Sequence, residues 1–279
     1  MGVRAAVVGH VEWIEFARVE RVPRPGEIVH ARETREEPGG GGSVAAVQLQ
    51  RLTGNCTFFT ALGDSELGRR ALRELAERFG MRVEATFRPT EQRRAFTFID
   101  DEGERTITVI GDRLGPDAAD PLPWDDLDGV DGVYFTAGDR GALEAARRGR
   151  VLVATPRAMP VLRGSGVLLD ALVGSGTDPD ERFEPGDLDP TPRLAIWTEG
   201  SKGGRYVTAD GTSDRFEAAP LPGPVVDAYG TGDTFAAGLT YALAAGSSVD
   251  DALAFAARCA AIALTGRGPY GSDISAALD

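Results

Sequence analysis

The second half of the chain alternates short apolar segments with helical ones, and this alternation restricts the fold more than any other feature. From residue 130 onward an apolar segment (VDGVYFT), a helical segment (LEAARR) and another apolar segment (RVLVAT) follow one another. Short apolar runs recur at 167–170 and 194–198. Strands that alternate with helices form mainly parallel sheets, because each crossover lays a helix on a face of the sheet. We therefore predict a three-layer α/β/α fold with a mainly parallel central sheet.

Two charged segments of the N-terminal half, about residues 11–35 and 83–109, do not fit a buried parallel sheet. The first mixes charged and β-branched residues around prolines and a glycine, which is typical of short exposed strands. Within the second, residues 95–110 are predicted as two strands joined by an Asp-Glu-Gly turn. We predict that both segments form a small β-sheet lid, and that a single domain spans residues 1–279.

Glycines and apolar periodicity mark further elements. The run over residues 4–9 predicts a buried strand, and residues 65–79 predict a helix that stops at Gly80. The final third contains two alanine-rich segments, which predict helices over 234–245 and from 249 to about 265.

Composition excludes several classes of function. A net charge of −13 disfavours a nucleic-acid partner, which needs clustered Lys and Arg, but it does not exclude one nucleotide held by backbone N–H groups. Cys56 and Cys259 lie far apart and in no metal-ligand spacing, so we expect two buried thiols and neither a disulfide nor a zinc site. No apolar run has membrane-spanning length or the form of a signal peptide, so we expect no membrane partner and a cytoplasmic location.

The heptapeptide Asp227-Ala-Tyr-Gly-Thr-Gly-Asp233 has the strongest chemical signal in the chain. Gly230 and Gly232 permit a tight turn whose N–H groups point one way, directly before a helix whose N-terminus carries partial positive charge. These features predict an anion site. A carboxylate beside such a site suits a base that takes a proton from a hydroxyl attacking a phosphate. In the alternative interpretation, this is a plain glycine-rich turn in which Asp233 only caps the helix.

The whole heptapeptide resembles the second signature of the ribokinase and phosphofructokinase-B family of sugar kinases, which it matches at Asp227, Gly230, Gly232 and Asp233. Further segments resemble family motifs in the same order across nearly the full chain. They are the glycine run after Pro38, the lid sequence Gly103-Glu-Arg-Thr-Ile, the nucleotide-side stretch Thr198–Gly204, and the C-terminal segment Ala260–Gly268. The resemblance implies a ribokinase-like fold and a kinase that transfers the γ-phosphoryl group of ATP to a hydroxyl of a sugar, polyol or nucleoside.

The resemblance also implies a role for each matching position. These are Asp233 as general base, Gly230, Thr231 and Gly232 as the anion hole, Thr198, Gly200 and Gly203 along the ATP, Glu12 and Gly39, Gly40, Gly41 and Gly42 at the acceptor, and Asp227 as support for a monovalent cation or the phosphate loop. Mg²⁺ would bridge the β- and γ-phosphates, with no protein ligand assigned, and K⁺ is left open. Lids of this kind often pair between subunits, which favours a homodimer. The glycine run could instead be a flexible linker.

Several positions depart from the family pattern. Val44 stands where the family usually has an asparagine for a sugar hydroxyl, and Glu12 is the nearest carboxylate to the usual substrate aspartate. Trp13 could stack on the acceptor or pack under the lid. Asp178 and Glu181 replace only part of the motif that helps order magnesium. We therefore expect an acceptor less polar than ribose or fructose, and the alternative is a catalytically weak or non-catalytic ligand-binding relative.

Overall fold

The structure is a computed structural model that describes residues 2–278. Its strands are β1 (Ala5–His10), β2 (Glu12–Arg18), β3 (Glu33–Gly39), β4 (Cys56–Gly63), β5 (Arg82–Arg88), β6 (Arg94–Ile99), β7 (Arg105–Ile110), β8 (Gly132–Phe135), β9 (Val151–Ala154), β10 (Ala171–Ser175), β11 (Leu194–Thr198), β12 (Gly204–Thr208) and β13 (Ser213–Phe216). Its helices are α1 (Gly41–Thr53), α2 (Glu66–Phe79), α3 (Arg140–Ala146), α4 (Met159–Leu162), α5 (Thr231–Ala245) and α6 (Val249–Ala263).

Nine strands form the main sheet, in the order β13-β12-β11-β10-β9-β8-β1-β4-β5. All neighbours from β11 to β5 pair in parallel, and only the hairpin strands β12 and β13 are antiparallel. The chain runs from β1 outward to β4 and β5, and later returns to β8 on the other side of β1. The order of the strands therefore reverses between β1 and β8.

The sheet is buried on both faces, which explains why its central strands are apolar without interruption. Ala5 and Val7 of β1 lie in one core, and Ala6 and Val8 lie in the other, because successive side chains of a strand point to opposite faces. Helices α1, α2, α5 and α6 cover the first core, and the short helices α3 and α4 cover the second. The predicted three-layer α/β/α ribokinase-like architecture with a mainly parallel sheet is confirmed.

A second sheet of four strands has the order β3-β2-β6-β7, and we call it the small sheet. β2 pairs with β3 antiparallel and with β6 in parallel, and the hairpin β6–β7 agrees with the strands predicted over 95–110. Residues of β6 alternate between buried and half-buried, whereas every residue of the edge strand β7 is exposed. The small sheet therefore rests on the rest of the molecule mainly through β2, β3 and β6.

The segments assigned to the lid need one correction. Residues 83–88 belong to β5, which pairs with β4 in the main sheet, and not to the small sheet. The prediction was wrong here because β5 is an edge strand, where charged residues are compatible with a sheet that is otherwise buried. The other segment extends further than predicted, since β3 continues to Gly39.

Two element boundaries also differ from the sequence prediction. β1 ends at His10, and α5 begins at Thr231, three residues before the predicted start of that helix. Gly230 has φ +75° and serves as the N-cap, so the helix starts directly after it. Asp233 therefore lies within the first turn and is not the cap.

Both cysteines are buried and unpaired, as expected. Within residues 2–278, no helix is both long enough and apolar enough to cross a membrane.

Candidate active site

Polar residues lie at the carboxyl ends of the central strands, at the point where the strand order reverses. His10 is the last residue of β1, and Thr136 and Thr155 directly follow β8 and β9. The Nδ1 atom of His10 lies 3.4 Å from the hydroxyl of Thr136. Ligands of open α/β sheets bind in the crevice at such a reversal. The fold alone therefore points to this edge as the site.

The anion site was predicted at the N-terminus of α5, and within the described part of the chain the structure leaves amides unpaired there. Gly230 in its left-handed conformation lets the chain enter the helix, where the amides of Gly232 and Asp233 donate to no acceptor within residues 2–278. A Cβ on Gly232 would meet no atom within 4 Å, so the space in front of these amides is open. Free N–H groups and the positive end of a helix dipole together favour a phosphate group.

Asp233 is half-buried beside these amides. Burial, followed by the nearby carboxylate of Glu181, raises its pKa to about 7, although the charges of Arg157 and Arg105 act in the opposite direction. A carboxyl group with a pKa near neutral accepts a proton far more readily than an ordinary aspartate. The site therefore holds a carboxyl group whose pKa suits proton transfer at neutral pH.

The glycine run joins this base to the other side of the site. Gly40 has φ +85° and is the N-cap of α1, and a Cβ there would lie 3.1 Å from Glu12 and 3.2 Å from His10 Nε2. At Gly41 a Cβ would lie 2.6 Å from Asp233 Oδ1. The N-terminus of α1 therefore faces the carboxylate, and two helix N-termini meet at the site.

The outer glycines of the run are explained by packing. A Cβ on Gly39 would lie 2.3 Å from Ile14 Cδ1, and one on Gly42 would lie 2.5 Å from the carbonyl oxygen of His10. The run ends a strand and starts a helix, so the linker interpretation is wrong. The assignment of all four glycines to acceptor binding stays a prediction, and close packing already accounts for Gly39 and Gly42.

Asp227 holds the loop that leads into α5. Its Oδ1 accepts from the amide of Tyr229 at 2.8 Å, and its Oδ2 accepts from the amide of Gly268 at 2.8 Å and from Arg35 Nη2 at 3.0 Å. The hydroxyl of Tyr229 in turn accepts from the amide of Gly40 at 3.1 Å. These bonds connect residues 227–233, which we call the phosphate loop, to the small sheet and to the glycine run.

Glu12, the predicted acceptor carboxylate, is buried and already engaged. Its Oε1 accepts from Arg93 Nε at 2.6 Å and lies 3.7 Å from His10 Nε2. Burial, followed by the charges of Arg113, Arg93 and Arg157, lowers the pKa of His10, so the imidazole is neutral near pH 7. Glu12 therefore belongs to a charged cluster, in which only part of its hydrogen-bonding capacity is left for an acceptor.

Two apolar positions near the site serve packing. Trp13 is fully buried, donates from Nε1 to Glu36 Oε2 at 2.8 Å, and has the guanidinium of Arg70 4.4 Å above its ring. Its position favours the packing interpretation over stacking on an acceptor. Val44 is also fully buried, and a Cβ on Gly230 would lie 3.1 Å from its Cγ1. Val44 therefore packs against Gly230, in the loop that leads into α5.

The predicted nucleotide loop is the turn between β11 and β12, as the hairpin interpretation requires. The amide of Glu199 donates to Gly203 O at 2.7 Å to close it. Gly203 has φ +75°, and a Cβ there would lie 2.0 Å from Phe216 O, so the fold itself requires glycine. Gly200 faces open space. Thr198 ends β11, three strands from β8, which is about 14 Å at the usual strand spacing.

The two carboxylates expected near magnesium both bind one arginine. Arg157 donates from Nε to Glu181 Oε1 at 2.7 Å and from Nη2 to Asp178 Oδ2 at 2.6 Å. Within the described part of the chain, no three His, Cys, Asp or Glu side chains form a group that could hold a metal ion. The amides of Ser175 and Asp180 bind the other oxygens of Glu181 and Asp178, so these carboxylates, already paired with Arg157, do not fit direct ligands of Mg²⁺.

Sequence reasoning missed three arginines of this site: Arg93, Arg113 and Arg157. They lie in segments without a motif, and their charges all act on His10. Arg93 and Arg113 flank the hairpin predicted over residues 95–110, whereas Arg157 follows β9 of the main sheet. Only the fold shows that these side chains converge on one place.

The model of the pfkB family carbohydrate kinases matches residues 4–158 and 188–276. An ATP-dependent ribose-1-phosphate kinase from Halopiger xanaduensis is 26% identical over 292 aligned positions, which cover 93% of this chain and 91% of that protein. A ribokinase from Dictyostelium discoideum is 29% identical over 106 residues, which span 38% of this chain and 33% of that protein.

Solved structures agree on the fold. A ribokinase from Thermotoga maritima has a TM-score of 0.77 at 21% identity, with 99% of each chain covered. A ribokinase from Arabidopsis thaliana, complexed with ribose and ATP, has a TM-score of 0.75 at 21% identity, covering 100% of this chain and 98% of that one. An adenosine kinase from Sinorhizobium meliloti has a TM-score of 0.77 at 18% identity, covering 100% and 99%.

Proposed function

The chain belongs to the pfkB family of carbohydrate kinases, and from this premise we propose that it transfers the γ-phosphoryl group of ATP to a hydroxyl of a small molecule, with Asp233 as the base. Membership of this family implies a phosphotransferase with an alcohol acceptor. The observation that carries the proposal is the position of Asp233, next to the free amides of α5 and against Gly41.

In the proposed reaction, the acceptor hydroxyl lies next to the Asp233 carboxylate, beside its contact with Gly41 at the start of α1. Asp233 takes the hydroxyl proton as the oxygen attacks the γ-phosphorus, and the bond to the β-phosphate oxygen breaks. The amides at the N-terminus of α5 hold the negative oxygens of the transferring group. A base in this position would have no use in a protein that only binds ligands, which favours the kinase over a non-catalytic relative.

The nucleotide is proposed to lie between α5 and the turn at Thr198–Gly203. Helix α5 packs against β8, β9 and β10, and β11 is the next strand of the sheet, so an extended ligand would reach both places. Gly200 leaves room at the turn, and Gly232 leaves room at the helix. Mg²⁺ bound together with ATP would neutralise the charge of the phosphates, and no residue of this chain is assigned as its ligand.

Residues around Asp227 do not fit a monovalent cation. The guanidinium of Arg35 already places a positive charge 3.0 Å from Asp227 Oδ2, and the amides of Tyr229 and Gly268 occupy one acceptor position on each oxygen. We assign Asp227 to the support of the phosphate loop, and we assign to Arg35 the charge that a cation would supply.

The small sheet is proposed to act as a lid, because it covers the acceptor side and contributes Glu12 to it. Closing a lid excludes water, which would otherwise compete with the acceptor for the phosphoryl group. Candidate acceptors are neutral sugars, polyols and nucleosides, together with sugar phosphates such as the substrate in the name of the Halopiger xanaduensis relative.

The test is a coupled ADP-release screen with Mg-ATP against these four groups of acceptors. Acceptor-dependent ADP release, lost in Asp233→Asn, supports the proposal. Specific binding of one of these compounds without ADP release at any acceptor concentration would favour the non-catalytic alternative.

A further inference from the structure

We propose that the acceptor carries a phosphate group in addition to the hydroxyl that reacts, and that Arg113 and Arg93 bind this phosphate. The inference rests on the proposed function, since it names the class of acceptor for the same site. Its basis is the arrangement of these two guanidinium groups beside Glu12 and His10.

Arg113 is half-buried and lacks an acidic partner. Its Nη1 donates to the carbonyl oxygen of Arg157 at 3.2 Å, and no carboxylate oxygen of residues 2–278 lies within 4.0 Å of its nitrogens. Burial, followed by the like charge of Arg93, lowers its pKa. A buried guanidinium without a counter-ion is unfavourable, so this arrangement calls for an anion from outside the chain.

Comparison with Arg51 shows that Arg113 is different from an arginine used for structure. Arg51 is also half-buried without a carboxylate, but it donates to the carbonyl oxygens of Ser272 at 2.6 Å and Tyr270 at 2.8 Å. Arg51 thereby fastens the C-terminal segment. Arg113 makes one such bond, at 3.2 Å, and most of its donors remain available.

Arg93 is the second cation of this cluster, with a side chain that is 15% exposed. It donates from Nε to Glu12 Oε1 at 2.6 Å and from Nη1 to Gly111 O at 2.9 Å. Its Nη2 has no acceptor in the described part of the chain. Because Gly111 lies two residues before Arg113, this bond keeps the segment that carries Arg113 next to Arg93.

The cluster lies on the acceptor side of Asp233. Arg93 donates to Glu12 at 2.6 Å, and its bond to Gly111 O keeps the chain at Arg113 beside it. His10 and Glu12 surround Gly40 at the start of α1, whereas the proposed nucleotide positions lie at α5 and at the β11–β12 turn. The phosphate recognised here therefore belongs to the acceptor and not to ATP.

A phosphate suits these donors better than a carboxylate. A phosphate monoester brings nearly two negative charges and three acceptor oxygens, which match two guanidinium groups. Hydroxyl recognition is weak in this pocket, because Val44 is apolar and Glu12 is engaged by Arg93. A charged anchor would supply the binding energy that these contacts do not.

The first experiment compares kcat/KM for acceptors with and without an anionic group. Ribose is compared with ribose 1-phosphate and ribose 5-phosphate, and fructose with fructose 1-phosphate and fructose 6-phosphate. Gluconate tests whether a carboxylate is accepted. We expect at least one phosphate ester to exceed its neutral parent by on the order of 30-fold or more. Equal values for parents and esters, or a preference for gluconate, would overturn the proposal while leaving the kinase function intact.

The second experiment uses Arg113→Gln, with Arg140→Gln as the matched control on α3, where the side chain donates to Gly164 O. Arg113→Gln should raise KM for the phosphorylated acceptor by on the order of 30-fold and leave KM for ATP within twofold. A rise in KM for ATP instead would show that Arg113 serves the nucleotide, and the proposal would be wrong.

The third experiment does not depend on turnover. Inorganic phosphate should bind to the wild-type protein in calorimetry, compete with the acceptor and not with ATP, and bind at least 10-fold more weakly to Arg113→Gln. If no acceptor releases ADP, the kinase proposal fails, but this binding would still identify the anion site. Phosphate binding that Arg113→Gln leaves unchanged contradicts the inference.

Discussion

Asp233 and Gly41 lie in contact across the site: a Cβ on Gly41 would be 2.6 Å from Asp233 Oδ1. The two residues come from different motifs, 192 positions apart in the chain, and from the first turns of two helices. The contact keeps the carboxylate in one position and leaves space for an acceptor beside it. Predictions about the site follow from this contact and from the bonds around it.

The first prediction concerns Gly41→Ala. The new methyl group would displace the end of the Asp233 side chain, which rotates more easily than the backbone moves. A shift of the base by about 1 Å can reduce the rate by about 100-fold. We expect kcat to fall by at least 10-fold and the melting temperature to change little, because alanine is a good helix residue.

The matched control is Gly186→Ala, where a Cβ meets no atom within 4 Å and φ is not positive. Steady-state kinetics and thermal unfolding on both variants check the prediction. A Gly41→Ala enzyme with wild-type kcat would show that the Gly41 contact does not position the base.

The second prediction concerns pH and stability. The pKa of Asp233 is about 7 in the folded protein, and an ordinary aspartate, as in the unfolded chain, has a pKa of 3.8. Between these two pH values the folded state therefore binds more protons than the unfolded state. Stability from this group is therefore lost as pH rises from about 4 to about 7. Asp233→Asn removes the effect, and we expect it to be more stable than wild type by roughly 1–3 kcal/mol at pH 8, allowing for partial exposure.

Thermal unfolding of both proteins at pH 5 and pH 8 measures this difference. The gain in the variant should be larger at pH 8 than at pH 5. Asp214→Asn, on the exposed strand β13, is the control and should show no such trend. A gain that is equal at both pH values would mean that the Asp233 carboxyl is not the titrating group.

The third prediction concerns monovalent cations. Because Arg35 lies 3.0 Å from Asp227 Oδ2 and supplies a positive charge there, K⁺ should not be required. We expect initial rates in potassium chloride and in tetramethylammonium chloride, at equal ionic strength, to agree within about twofold. Arg35→Ala should lower kcat, and Arg24→Ala, an exposed arginine, should not. A loss of more than 10-fold for wild type without K⁺ would refute the assignment.

The fourth prediction concerns motion of the small sheet. β7 is exposed along its whole length and pairs on one side only, so its amides should exchange faster than those of β6, which pairs with β2 and β7. A phosphorylated acceptor and a non-hydrolysable ATP analogue should slow exchange in both strands. Hydrogen exchange followed by mass spectrometry resolves residues 94–99 from 105–110. Equal protection with and without ligands would argue against a closing lid.

The architecture could be predicted from the sequence because its local patterns agree with one another. Uninterrupted apolar runs predicted the buried parallel strands, and the heptapeptide at 227–233 predicted an anion site. The strand β5 was missed, because charged residues on an edge strand carry no periodic signal. The predicted start of α5 at residue 234 is three residues late, because the helix begins directly after its N-cap, Gly230.

The acceptor side could not be derived from the sequence, because its chemistry depends on contacts between distant segments. Arg93 engages Glu12 across 81 positions, and Arg35 engages Asp227 across 192. Neither Arg93 nor Arg35 lies in a motif. Glu12 alone predicted hydroxyl binding, and the expected acceptor was less polar than ribose. The arginine partners change this picture to that of a charged acceptor.

The most direct test of the account is Asp233→Asn, which keeps the size of the side chain and removes the basic oxygen. Loss of a general base typically lowers the rate by about 10²–10⁴-fold. ATP affinity should change little, because the proposed anion site consists of backbone amides. The helix should also start unchanged, because Gly230, and not Asp233, is the N-cap of α5. We predict that kcat, measured by ADP release, falls by at least 100-fold while calorimetry gives an unchanged Kd for ATP. A variant that retains more than about a tenth of wild-type kcat would contradict the assignment of Asp233 as the base.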